Sequence, residues 1–181
     1  MDIVKQIKQH TENLLTVFGH LTAAQLKDLK PAVMGFYYQL PGFEAVINKY
    51  IKISITKEQL TADIVNGNLE SYQTAIEKSN AEMDEYADDY EEPEALDIFI
   101  LEALDNAVAD TSAANLVSLF TGVINTLDYY ENFSDEPGYW NNLLEQELAF
   151  QLEILSTMEG NKTLSASVYQ ERYNKVDFTA C

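Results

Sequence analysis

Pro93-Glu94-Ala95-Leu96-Asp97-Ile98-Phe99-Ile100-Leu101-Glu102-Ala103-Leu104-Asp105-Asn106-Ala107-Val108 is apolar on nearly every face when wound as a helix. The proline sits where a first turn tolerates it. The run is too long, and alternates too little, for a buried strand. The spacing therefore predicts a helix over 94–108, apolar nearly all round. A helix of that kind is usually covered on most sides by other elements.

The chain on either side supplies covering helices. Asp110, Thr111 or Ser112 caps a helix over 112–128, whose apolar positions are Leu116, Val117, Leu119, Phe120, Val123, Ile124 and Leu127. Tyr129 to Gly138, with Pro137, reads as a loop. A last long helix over 139–159 turns Trp140, Leu144, Leu148, Leu152 and Leu155 inward and stops at Gly160. A shorter helix over about 165–173 follows, and the tail after 174 reads as frayed.

Upstream, Ile3, Val4, Ile7, Leu14, Leu15 and Phe18 lie near one face of a first helix, with Gly19 as its stop. Thr22 and Gln25 have capping-box spacing and open a short second helix. Pro31 suits the first turn of a third, running through Val33, Phe36 and Tyr37. Pro41-Gly42 breaks the chain before another helix over 43–51, and 52–55 reads as a loop. Thr56 with Gln59 repeats the capping spacing, and Asn66-Gly67 precedes a helix marked by Leu69, Tyr72 and Ile76. The expectation is an all-α, single-domain multi-helix bundle of about seven to nine helices over residues 1–181. Its hydrophobic centre is 94–108, 112–128 and 139–159.

Charge is the unusual feature: 30 acids face 11 bases, a formal net charge of −19. Disorder is the first alternative for so acidic a chain, but the acids are interleaved with large apolar residues at helical spacing. Residues 1–57 hold 7 Lys against 4 acids, whereas 58–160 hold 24 acids against Lys78 alone. Nucleic acid is excluded as a ligand, because its phosphates are bound by clustered Lys and Arg, and the one arginine is Arg172. Anionic lipid is repelled for the same reason. No run reaches the roughly 18 apolar residues of a membrane span, and the N-terminus lacks the features of a signal peptide. The single cysteine, Cys181, has no intrachain partner. Together these point to a reducing, cytoplasmic setting.

Motifs for metals, redox groups and phosphates are missing, and no cofactor is expected. His10 and His20 have no ligating spacing and read as exposed or capping residues. Asp84, Asp88 and Asp89 lack the spacing and central glycine of a calcium loop. Asp97, in the first turns of the apolar helix, reads as an acid favoured by the helix dipole, or else as a base in a crevice. Glu147 and Gln151, four apart, share a helical face. Beside Glu145 and Glu153 they read as a solvated face, with ligand contact as the alternative.

The stretch from about 80 to 94 reads as an acidic loop, with acids at 82, 84, 85, 88, 89, 91, 92 and 94 and with Tyr86 and Tyr90 among them. Tyr129, Tyr130 and Phe133 lie in another such neighbourhood. Tyrosine mixed with carboxylate suits a protein-binding rim, and rings that close the ends of the bundle are the plainer reading. The candidate binding residues are Asp84, Glu85, Tyr86, Asp88, Asp89, Tyr90, Glu91 and Glu92.

Two stretches carry a family likeness. One is Leu69-Glu70-Ser71-Tyr72 to Ile76, then Tyr86 and Glu94-Ala95-Leu96-Asp97. The other is Glu145-Gln146-Glu147-Leu148-Ala149-Phe150-Gln151-Leu152-Glu153-Ile154. Over residues 69–158 the chain resembles the YjaG-like proteins, a bacterial family of a domain of unknown function. The resemblance implies a cytosolic helical bundle and brings no reaction, substrate or catalytic residue with it.

The function expected from these readings is a noncatalytic module whose acidic face docks on a basic protein, as an immunity or inhibitor protein would on a basic toxin. The rival is a small-ligand protein or enzyme with a pocket near Asp97, Glu147 and Gln151. A third is a homo-oligomer joined through spare apolar faces.

Overall fold

The computed structural model describes residues 3–179, which hold nine helices and no strand. In order these are α1 (Ile3–Phe18), α2 (Ala23–Tyr37), α3 (Phe43–Ile51), α4 (Lys57–Asn66), α5 (Glu70–Glu82), α6 (Ala95–Val108), α7 (Ala113–Phe133), α8 (Pro137–Glu159) and α9 (Val168–Tyr173). The all-α expectation holds.

Several helix ends fall where their capping residues put them. Thr22 and Gln25 form the reciprocal capping box of α2, and Thr56 and Ser112 cap α4 and α7 with their hydroxyls. Gly67 takes the left-handed conformation that ends α4. Two boundaries differ from the sequence reading. Pro31 lies inside one continuous helix, so the expected second and third helices are both α2. The expected loop from Tyr129 to Gly138 is mostly helical: α7 runs on to Phe133, and Pro137 opens α8. Pro31 sits where packing keeps the chain helical across it, so sequence punctuation yields to tertiary contact, whereas Pro137 follows a short break at 134–136 and takes the first turn of α8.

The middle of the bundle is α7. It packs against α1, α2, α6 and α8, and its buried residues, from Leu116 to Tyr130, lie on several faces. The apolar helix α6 is covered less completely than its composition suggests. Ile100, Ala103, Leu104, Ala107 and Val108 are buried, but Ile98 is exposed and Phe99 and Leu101 are half-buried. Its C-terminus is the firmly held end. The buried Lys30 side chain donates from Nζ to the Ala109 carbonyl (3.0 Å), and Gln73 Nε2 donates to Val108 O (2.6 Å). A cation there meets the negative end of the helix dipole. Some apolar positions also face outward. Leu152 on α8 is 48% exposed, contrary to the inward orientation expected, and Val4 and Leu15 on α1 are exposed as well.

The segment after α9 is packed. Phe178 is buried among Phe36, Tyr130, Trp140 and Tyr173. Tyr130 stacks on Trp140 (4.3 Å between ring centroids) and donates its hydroxyl to the Phe178 carbonyl at 2.7 Å. The frayed tail expected after 174 is therefore corrected as far as Thr179, because an aromatic anchor holds it. Cys181 lies outside the described residues. Tyr130, for which a binding rim was the alternative to a ring packed on the bundle, is fully buried in the core.

Two glycines admit close approaches. A Cβ on Gly35 would lie 2.8 Å from the backbone nitrogen of Gln170, so α2 and α9 touch through their main chains. A Cβ on Gly122 would lie 2.3 Å from the Tyr37 hydroxyl, which is held at Leu119 O by a 2.5 Å hydrogen bond. Gly35→Ala is expected to destabilise the protein by about 1–3 kcal/mol, the usual cost of overpacking, because only a shift of whole helices relieves the clash. Urea denaturation of the variant beside Gly138→Ala, a site with open space around its Cβ position, measures this; equal midpoints would contradict the close approach.

Candidate functional site

The sequence candidates fall in three separate places. Asp97 belongs to the start of α6. Its Oδ2 accepts from the backbone nitrogen of Glu94 (3.3 Å) and from the Tyr50 hydroxyl (3.1 Å). It is half-buried and completes a capping box. It shares no hydrogen bond with Glu147 or Gln151. The helix-dipole reading of Asp97 describes this environment.

Glu147 and Gln151 are both 0% exposed, which corrects the expected solvated face. Apolar positions on α8 put them on its inner side, where they meet α9. Glu147 Oε1 accepts from the Tyr169 hydroxyl at 2.6 Å and from Gln151 Nε2 at 2.9 Å. Its Oε2 accepts from the Tyr173 hydroxyl at 2.6 Å and from Arg172 Nε at 3.3 Å. Tyr169 and Tyr173 are one helical turn apart on α9, so both hydroxyls reach the same carboxylate. Arg172 covers the outer side, with its guanidinium 4.3 Å from the centre of the Phe150 ring.

Gln151 extends this network. Its Nε2 also donates to the Phe120 carbonyl at 3.0 Å, which leaves Oε1 to face His10 Nε2 at 2.8 Å. An amide oxygen only accepts, so His10 carries its proton on Nε2. His10 is 6% exposed, not the exposed or capping residue expected. One polar chain thus joins α1, α7, α8 and α9 through the middle of an apolar bundle.

Burial pushes the Glu147 carboxyl upward, against the hydrogen bonds from Tyr169, Tyr173 and Gln151 and the charge of Arg172. Burial and the adjacent carboxylate push both tyrosine hydroxyls up, so they remain donors. Burial also holds His10 below its ordinary 6.5, against the Gln151 hydrogen bond. Four donors on one carboxylate leave it no lone pair for a substrate. Neither of the two main clefts is lined by Glu147, Gln151 or Asp97. The arrangement is a clamp between helices, with Glu147 and Gln151 closed to solvent.

The third place is the segment 83–94 between α5 and α6. Asp84 Oδ1 accepts from the Tyr86 backbone nitrogen (3.0 Å), and short turns follow from Ala87 N to Asp84 O (3.1 Å) and from Tyr90 N to Ala87 O (3.0 Å). Asp84, Glu85, Tyr86, Asp88, Asp89, Tyr90, Glu91 and Glu92 are all exposed, Tyr86 at 95%. Glu91 is paired with Lys49 of α3, which also holds its carboxyl below the usual range. This segment forms one wall of a cleft of about 640 Å³ whose other sides are α3, α5 and α6. A second crevice, about 450 Å³, lies among α1, α2, α6 and α7. Among the described residues no group of three His, Cys, Asp or Glu is placed to hold a metal ion, and no helix is long and apolar enough to cross a membrane.

The sequence reading missed His10, Tyr169, Arg172 and Tyr173. A signal existed: two tyrosines four apart flank the one arginine of a chain rich in acids. No family model matches the chain, and no curated protein or solved structure matches it either.

Glu147→Gln is expected to cost about 1–3 kcal/mol in urea denaturation, because it replaces the acceptor oxygens of buried hydrogen bonds with an amide that leaves one donor unpaired. Glu153→Gln, on the exposed side of α8, should stay within about 0.5 kcal/mol. A second expectation concerns pH. With its folded pKa below 6.5, His10 contributes stability that is complete above that value and is lost as pH falls below it. The stability advantage of the wild type over His10→Gln should therefore shrink between about pH 7.5 and about pH 5.5, one unit either side of an ordinary histidine. A constant difference would place His10 outside the network.

Proposed function

We propose that this chain is a noncatalytic protein-binding module whose acidic segment 83–94 docks on a basic partner. The observation that carries the reading is Tyr86, 95% exposed in the middle of a run of acids. Of the eight acids from Glu82 to Glu94, Glu82 pairs with Lys78 and Glu91 with Lys49. The other six have no ion pair among the described residues. A large exposed aromatic inside an unneutralised field supports an interface: the ring supplies buried area and the charges supply steering. The YjaG-like resemblance adds no activity to this reading.

Electrostatic docking of this kind accelerates encounter and weakens with salt. Source-cell lysate passed over the immobilised chain at about 50 mM and about 300 mM salt separates screened from unscreened contacts. A basic protein should be retained at the lower salt and released at the higher. It should be lost from a variant carrying Asp84→Asn, Glu85→Gln, Asp88→Asn, Asp89→Asn and Glu92→Gln. With the partner in hand, Tyr86→Ser should weaken binding by at least about tenfold, as truncation of an interface anchor does. Retention that is unchanged in the neutralised variant would sink the reading.

A further inference from the structure

We propose that the cleft between α3, α5, α6 and the 83–94 segment receives a basic peptide segment that carries apolar side chains. This deepens the docking reading above and rests on it, naming what part of the partner is bound and where.

The cleft combines two features that a merely solvated acidic surface does not need. Its walls carry Glu82, Asp84, Asp89, Glu91, Glu102 and Asp105, against Lys49 and Lys52. Lys49 is already taken by Glu91 and Glu82 pairs with Lys78, so four acids face Lys52. Its floor is apolar: Ile51 from α3, Ile76 from α5, Met83, Pro93 and Leu101 from α6. Met83 is 53% exposed, and the other four are half-buried, each keeping some area in contact with water. They include part of the α6 face that the bundle leaves uncovered. Apolar area left in contact with water, and ringed by one sign of charge, is recovered by a ligand with the opposite charge and its own apolar side chains.

The shape favours a chain segment over a small molecule. A small-molecule site encloses most of its ligand, and here no lining residue is buried. The cleft is a trough of about 640 Å³, and every lining residue from Glu82 to Glu91 except Ala87 is exposed. A peptide lies in such a trough with its apolar side chains down and its Lys or Arg side chains along the acidic walls. The long stems of those residues add apolar contact of their own. Nucleic acid and anionic lipid are repelled by the same walls. A second copy of this chain brings a net charge of −19 to them.

The test uses the full chain and two synthetic peptides of about fourteen residues, roughly four helical turns. Both carry the same lysines. One has leucines on a single helical face, and in the other serines replace them. Fluorescence anisotropy is read at about 50 mM and about 150 mM salt. The leucine peptide should bind at least about tenfold more tightly than the serine peptide, a difference of about 1.4 kcal/mol. That preference should disappear in Met83→Ser, which alters an exposed floor residue without changing charge, and in Leu101→Asn. Circular dichroism shows which variants remain folded, and Met83→Ser decides the matter if Leu101→Asn does not. Glu102→Gln with Asp105→Asn should weaken both peptides. Equal binding of the two peptides, or a preference that survives Met83→Ser, overturns the trough and leaves acidic docking standing. Absence of binding by either peptide at the lower salt counts against both.

Discussion

A fully buried carboxylate with four hydrogen-bond donors is the constraint around which this bundle is organised. Moving an unpaired carboxylate out of water costs several kcal/mol. Glu147 is tolerated because Tyr169, Tyr173, Arg172 and Gln151 are all brought to it. Three of those four come from α9, a helix of six residues that is too short to persist by itself. The carboxylate therefore fixes where α9 lies. Gly35 then allows α9 to touch the α2 backbone, and Phe178 follows into the aromatic cluster with Tyr130 and Trp140. Through Gln151 the same network reaches α1 at His10 and α7 at the Phe120 carbonyl.

The chain uses its acids in two opposed ways. Glu147 is inside, saturated with donors and closed to solvent. The acids between α5 and α6 are outside, and among the described residues one of them, Glu91, is given a base. Solvation stabilises the second group at little cost in the folded state. Mutual repulsion among them keeps the segment extended around short turns and off the apolar body. The half-covered first turns of α6 are a consequence. Nothing with the charge of segment 83–94 packs readily on Ile98 or Leu101, and the trough remains beside them.

These two uses also divide stability from recognition. Residues of the clamp are sequestered, and changes there act on the fold. Residues of the acidic segment make few contacts with the core, and changes there act on whatever approaches from solution. Asp97 stands between them: it caps α6 through Glu94 N and holds the Tyr50 hydroxyl, tying α3 to the edge of the trough.

Local sequence determined the helical class, the capping at Thr22, Thr56 and Ser112, the break at Pro41-Gly42, and the acidic segment before α6. These follow from periodicity and from hydrogen bonds between residues a few positions apart, so neighbouring residues contain the whole cause. Pro31 and the stretch from Tyr129 to Phe133 show the limit, because long-range packing kept helical what local punctuation suggested would break. The spacing of Glu147 and Gln151 placed them on one face of a helix. It did not say which face, since their donors lie 22 to 26 residues onward in α9 and, for His10, 141 residues back. Burial of a charge is a property of all the groups that converge on it, and only the tertiary structure brings those groups together.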